Sequence, residues 1–173
     1  MDVMQLPNAE QLLVELTEKM RPDVATNIAL VGIYTGGVWL AERLHQDLGI
    51  TLPLGVLDSS FYRDDFDQIG LHSQVRSSNI PFKVDGSHII LIDDVLFTGR
   101  TIRAATNELF DHGRPASIRL AALIDRGGRE LPIAINYVGT TIVLSEDKML
   151  ALERNKNGKL NLSLYDRVNR NSE

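Results

Sequence analysis

Apolar side chains recur at Ala9, Leu12, Leu13, Leu16 and Met20, three or four residues apart, which is the stripe of an amphipathic helix over residues 9–20. Asn8, with Gln11 three positions on, has the pattern of a capping box, and Pro22 lies just past the predicted end. Residues 28–34 (IALVGIY) form an unbroken apolar run of buried-strand type that breaks at Thr35, Gly36 and Gly37. The helical period returns over residues 38–48 through Val38, Leu40, Ala41 and Leu44, with Gly49 where a helix C-cap wants positive φ. Residues 52–58 predict the next strand, and a strand–helix–strand unit makes the two strands parallel.

Residues 59–87 hold polar clusters (SS, RDD, RSSN) and no sustained period, so they predict a long irregular insertion with a hairpin of its own, either a functional lid or a passive surface excursion. The pattern then repeats: a β-branched strand over 88–92 (HIILI), a helix over 101–112 closed by Gly113 and Pro115, and a strand over 117–124 (SIRLAALI). Residues 156–159 (KNGK) read as a hairpin turn before a strand-like stretch over 160–165. The expected fold is α/β, an open parallel twisted sheet with helices on both faces, in a single domain over residues 1–173 that contains the 59–87 insertion. Ligands of such sheets sit beyond the carboxyl ends of the strands.

Composition narrows the function classes. With 173 residues, 43% hydrophobic and 24% charged, the chain has the make-up of one ordinary globular core. It has no cysteine, which excludes a disulfide framework, a thiolate nucleophile and Cys-ligated metal, and points to a reducing, cytoplasmic setting. The first residues lack a basic, then apolar, leader pattern, and nowhere do 18 apolar residues run together, so neither export nor membrane spanning is expected. A net charge of −5 is the wrong sign for a surface given over to nucleic acid. A local basic patch is still available, because Arg100, Arg103, Arg114, Arg119, Arg126 and Arg129 outnumber the acids between residues 99 and 130.

Three segments follow predicted strand ends and should meet in one cleft: Thr35-Gly36-Gly37, residues 93–100, and residues 125–129. The middle one, in HIILIDDVLFTGRT, sets Asp93 and Asp94 at a strand end and Thr98-Gly99-Arg100-Thr101 at a helix start. Backbone N–H groups and the helix dipole at that turn suit a phosphate, while paired carboxylates can accept hydrogen bonds from hydroxyls or reach Mg²⁺. Together they suggest a ribose phosphate. A Walker-type nucleotide hydrolase is disfavoured, since no GxxxxGK[ST] loop occurs. A receiver-type acidic pocket would account for the aspartates but not for the Gly-Arg-Thr turn, and a capped helix start with solvated acids would account for either part alone. The histidines (His45, His72, His88, His112) have no metal-ligand spacing, and Trp39 reads as a packing or dimer contact.

The string IILIDDVLFTGRT resembles the phosphoribosyl-pyrophosphate (PRPP) signature of type I phosphoribosyltransferases. LDSSFYRDDF, GRPASIRLAALIDRGGRELPI and INYVG resemble, in order and spacing, the members of that family that transfer phosphoribose to uracil and attenuate pyrimidine operons. The resemblance runs from about Leu6 to Tyr165. It implies that Asp93 and Asp94 bind the ribose hydroxyls, and that the backbone from Val95 and Leu96 through Phe97, Thr98, Gly99, Arg100 and Thr101 holds the 5′-phosphate. It further implies that Thr35-Gly36-Gly37 is the pyrophosphate loop, that Arg126 and Leu150 line the uracil side, and that residues 63–86 are a flexible hood. Arg63, or less readily Arg76, would then bring positive charge to the pyrophosphate. Mg²⁺ would be held mainly through PRPP, with no direct protein ligand, and the chain would assemble as a homo-oligomer.

Two departures from the family pattern sharpen the expectation. Purine enzymes of the family carry a carboxylate base three residues after the acidic pair, where this chain has Phe97, so a pyrimidine acceptor is implied. RNA-binding relatives carry basic residues where this chain has Gly128, Ala134 and Thr140, so RNA affinity from counterion release should be reduced, leaving Arg119, Arg126 and Arg129. The expected activity is therefore transfer of phosphoribose from PRPP to uracil, giving UMP and pyrophosphate. The alternative is a UMP-sensing, RNA-binding attenuator with weak or no catalysis.

Overall fold

Alternation along the central strands sorts the core into two layers. In the computed structural model, which describes residues 4–59 and 77–167, strand β1 (Ile28–Ile33) sends Ala29, Val31 and Ile33 to one layer and Ile28 and Leu30 to the other. Strands β3 (His88–Leu96) and β4 (Ser117–Asp125) divide likewise: Ile89, Leu91, Leu120 and Ala122 against Ile90, Ile92, Ala121 and Leu123. A period of two in strands that are apolar on both faces requires a cover on each side. Helix α3 (Arg100–His112) covers the first layer with Ile102, Ala105 and Leu109. Helices α1 (Ala9–Met20) and α2 (Gly36–Asp47) cover the second, together with an antiparallel ribbon of β6 (Lys148–Arg154) and β7 (Leu160–Asp166) that contributes Leu150, Leu152 and Leu160.

With β2 (Gly55–Leu57) and β5 (Tyr137–Thr141) the sheet has five strands, all parallel, in the order β2-β1-β3-β4-β5. The α/β class, the parallel sheet and helices on both faces are as the sequence predicts. The order carries a further consequence. Helix α2 leads from β1 outward to β2 and α3 leads from β3 outward to β4, so the chain turns opposite ways from the adjacent strands β1 and β3. A crevice therefore opens between their carboxyl ends.

The largest boundary differences from expectation are three, each with a physical reason. Helix α2 starts at Gly36, so the two glycines form its first turn rather than a free loop. Strand β2 shrinks to three residues because Pro53 has no N–H to give the ladder. Strand β3 runs past Ile92 to Leu96, since its ladder with β4 persists to the Leu96–Asp125 pair; Asp93 and Asp94 thus belong to the strand, not to a loop. Strands β5 and β6 were not anticipated as elements. The Asn155–Lys159 turn joins β6 to β7 as expected, with Asn155 N donating to Lys159 O at 2.9 Å.

Of the predicted insertion, residues 60–76 lie outside the described residues, and with them Arg63, Arg76 and most of the expected hood. Its far end is anchored: Val56 and Asn79 exchange two backbone hydrogen bonds of 2.8 Å, and Val84 is buried. No helix among the described residues is long and apolar enough to cross a membrane.

Candidate functional site

The crevice between β1 and β3 is where the sequence-predicted residues meet. Asp93 and Asp94 are both buried, each 8% exposed, at the end of β3. Their carboxylates turn back on the strand: Asp93 Oδ1 accepts from Asp94 N, and Asp94 Oδ1 from Val95 N, each at 2.9 Å. Across the crevice the Tyr34–Thr35 peptide is cis and α2 begins. The glycines there are required by close approach. A Cβ on Gly36 would stand 2.8 Å from Asp94 Cγ, and one on Gly37 would press on the backbone at Ile92 and Asp93. The pyrophosphate-loop candidate and the ribose candidate are therefore one contact surface.

The helix starts at this crevice are built unlike the start of α1. Asn8 Oδ1 accepts from Gln11 N at 3.1 Å, and Glu10 adds negative charge to the first turn of α1. The Gln11 side chain donates to Glu15 instead of closing the reciprocal half of the capping box. Helices α2 and α3 have no side-chain N-cap and no acid in the first turn. Both helices begin at the crevice, where leading N–H groups and a helix dipole suit an anion; Thr101 lines the open cleft, whereas Thr35, Gly36, Gly37 and Arg100 do not. In α3 the cap residue is Gly99 at φ +92°, where a Cβ would also strike Ile133. Arg100 N donates to Thr98 Oγ1 at 3.3 Å, while the Arg100 guanidinium turns outward to Glu130 at 2.8 Å. Arg100 thus offers this site no charge.

Asp93, Asp94, Val95, Phe97, Thr101, Arg126 and Leu150 line one cleft. Leu96, Thr98 and Gly99 are buried beneath it and shape the turn. Four further lining residues escaped the sequence reading: Ile33, Tyr34, Met149 and Arg167. Tyr34 closes the first apolar run and was legible as a strand-end residue. Met149 and Arg167 reach the cleft only because the β6–β7 ribbon folds over the end of β3, and nothing in their local sequence announces that.

Arg126 is buried and ties the β4 end to the ribbon, its guanidinium donating to Lys148 O at 2.9 Å and Ser145 O at 3.2 Å. It also stacks on Phe97, with Cζ 4.0 Å from the ring centroid. Arg129 braces the same loop. It grips both Asp125 oxygens at 2.9 and 2.7 Å and donates to Phe97 O and Ile133 O. Burial alone would raise the Asp125 pKa; the Arg129 hydrogen bonds, with the Gly127 N–H, outweigh it and hold the carboxyl below its ordinary value.

Among the described residues no group of three or more His, Cys, Asp or Glu side chains converges as a metal cage. The two aspartates are hard oxygen donors of the kind Mg²⁺ takes alongside phosphate oxygens, so the donor set fits a metal carried mainly by its ligand.

Comparison with known proteins agrees with the geometry. The phosphoribosyl transferase domain family matches residues 2–150. "Bifunctional protein PyrR" of Pseudomonas aeruginosa (strain LESB58) is 53% identical over 153 residues, covering 86% of this chain and 90% of that protein. The protein of the same name from Pseudomonas putida (strain W619) is 53% identical, covering 86% and 89%. The crystal structure of a hypoxanthine-guanine phosphoribosyltransferase from Bacillus anthracis superposes with a TM-score of 0.64 at 18% identity, covering 82% of this chain and 86% of that one, a likeness of fold.

Proposed function

The chain belongs to the phosphoribosyl transferase family, among the bifunctional PyrR proteins, and from that premise we propose that it transfers phosphoribose from PRPP to uracil, giving UMP and pyrophosphate. The observation that carries this reading is the meeting of Asp93 and Asp94 with two helix starts that lack side-chain caps, at the crevice between β1 and β3. In this reading the aspartates accept hydrogen bonds from the ribose 2′- and 3′-hydroxyls, the turn from Phe97 to Thr101 receives the 5′-phosphate, and the start of α2 receives the pyrophosphate.

As the bond from C1′ to the pyrophosphate oxygen breaks, positive charge grows on the ribose and negative charge on the leaving group. Buried carboxylates stabilise the first, and the amide dipoles of α2 the second. Mg²⁺ bound with PRPP would supply further charge neutralisation to the departing pyrophosphate. The uracil reading is supported by Phe97, an apolar ring where a purine enzyme needs a proton acceptor, and by Leu150 and Met149 as apolar walls beside it. A cytoplasmic setting accords with the absence of cysteine, and assembly as a homo-oligomer is part of the same proposal.

The alternative, a UMP-sensing attenuator that binds RNA, draws on the relatives' name, "Bifunctional". The arginines kept for that role are poorly placed for one patch. Arg126 and Arg129 are engaged inside the protein, and Arg119 lies at the other end of β4, about 23 Å away by strand rise. Incubation with Mg²⁺, PRPP and labelled uracil tests the choice. UMP is the expected product, and its absence alongside salt-sensitive binding of a stem-loop RNA would establish the alternative.

A further inference from the structure

Phe97 draws a second guanidinium besides that of Arg126. Arg167, which follows β7, sets its Cζ 5.0 Å from the ring centroid. Its own N–H donates to Asp147 O at 2.7 Å, which pins the backbone and aims the side chain at the cleft. Its Nε is buried and has no hydrogen-bond partner among the described residues. A buried N–H of a cation without an acceptor is costly, and two cations at one ring raise the local positive potential. The cleft is thus lined by both signs of charge, Asp93 and Asp94 from the end of β3, Arg126 from the end of β4 and Arg167 from the end of the ribbon.

We infer that Arg167, with Arg126, selects the nucleobase as its anion, so that the acceptor reacts as a deprotonated pyrimidine without any carboxylate base. This rests on the transferase reading above. The neutral ring nitrogen is a weak nucleophile because its lone pair is delocalised into the neighbouring carbonyls, and Phe97 can take no proton from it. In the inferred step the base gives its N1 proton to water on binding, and the negative charge spreads over ring nitrogens and carbonyl oxygens, which accept from the guanidinia. The N1 pair then forms the bond to C1′ while the bond from C1′ to oxygen breaks, and that electron pair leaves with pyrophosphate. Carboxylates beside the cationic sugar and guanidinia beside the anionic base match the charge distribution of that step.

The test compares Arg167→Gln and Arg167→Lys with the unaltered protein, on uracil and on the more acidic 5-fluorouracil. Arg167→Gln should lower kcat/KM for uracil by about thirtyfold, the scale of one cation a few ångströms from a charge in a partly shielded site. It should cost 5-fluorouracil only about fivefold, because a more acidic ring needs less help, and should raise the pH at which kcat reaches its plateau by roughly one unit. Arg167→Lys, which keeps the charge but not the planar fork, should recover part of the loss seen in Arg167→Gln, and PRPP affinity should stay within about twofold in both. Equal losses on the two bases, no movement of the kcat profile, or a lysine variant as poor as the glutamine one would overturn the inference alone. If the unaltered protein forms no nucleotide from either base, the transferase reading fails and takes this inference with it.

Discussion

The two walls of the cleft are made in opposite ways. The wall of Asp93, Asp94 and the turn into α3 comes from nine consecutive residues whose groups are placed by one strand, one turn and one helix start. The wall of Arg126, Leu150 and Arg167, which closes on Phe97 at the edge of that run, draws on three distant segments, brought together by the ribbon and by hydrogen bonds from Arg126 and Arg129. The first wall depends on local geometry, the second on tertiary packing. Damage to the first should strike chemistry and leave stability alone, and damage to the second should strike stability and base selection together.

The largest effect is expected from Asp94→Asn, which keeps the shape and removes the charge. Turnover should fall by about a thousandfold, some 4 kcal/mol of transition-state stabilisation, with an unchanged melting temperature. Unchanged turnover would take Asp94 out of the site. Next comes Gly36→Ala, whose new methyl group would push on the Asp94 carboxylate. PRPP binding, followed by calorimetry, should weaken by about tenfold or more whichever base is offered. A loss confined to uracil would blur the two walls.

Leu150→Ala probes the other side. Leu150 is 6% exposed in the ribbon, so truncation should cost about 2–3 kcal/mol in chemical denaturation and raise KM for uracil, with PRPP affinity kept. The smallest effect belongs to Asp125. Its pKa is lower in the folded protein than the ordinary 3.8, so its pairing with Arg129 stabilises the fold above that value and is lost as pH falls through the folded value. Asp125→Asn should therefore lower stability by about 1 kcal/mol near neutral pH, a gap that begins to narrow only below the ordinary 3.8 and closes at still lower pH in thermal melts. A gap that persists in acid would mean that shape rather than charge braces the loop.

That asymmetry also explains what could be read from the chain. Helix α1 was legible to the residue, because Asn8 and the stripe from Ala9 to Met20 depend on neighbours a turn away. The PRPP-binding candidates were legible for the same reason, although the strand that carries them ends four residues later than its apolar run. The ladder to β4, and not side-chain polarity, decides where β3 stops. Strands β5 and β6 were missed as elements: YVGTT is too short for a period, and KMLALER suits a helix as readily as a strand until β7 pairs with it. Arg167 was missed because its role depends on where the ribbon lands.

The crowding around Phe97 bears on how acceptor preference could change over generations. A single replacement of Phe97 by an acid would not yield a purine enzyme, because two guanidinia already sit at that ring and would hold a new carboxylate ionised and paired. Gly128 packs so closely on the ring that its own substitution is blocked first. Switching the acceptor would demand several coordinated replacements at once, so one aromatic side chain raises an evolutionary barrier around the choice of base.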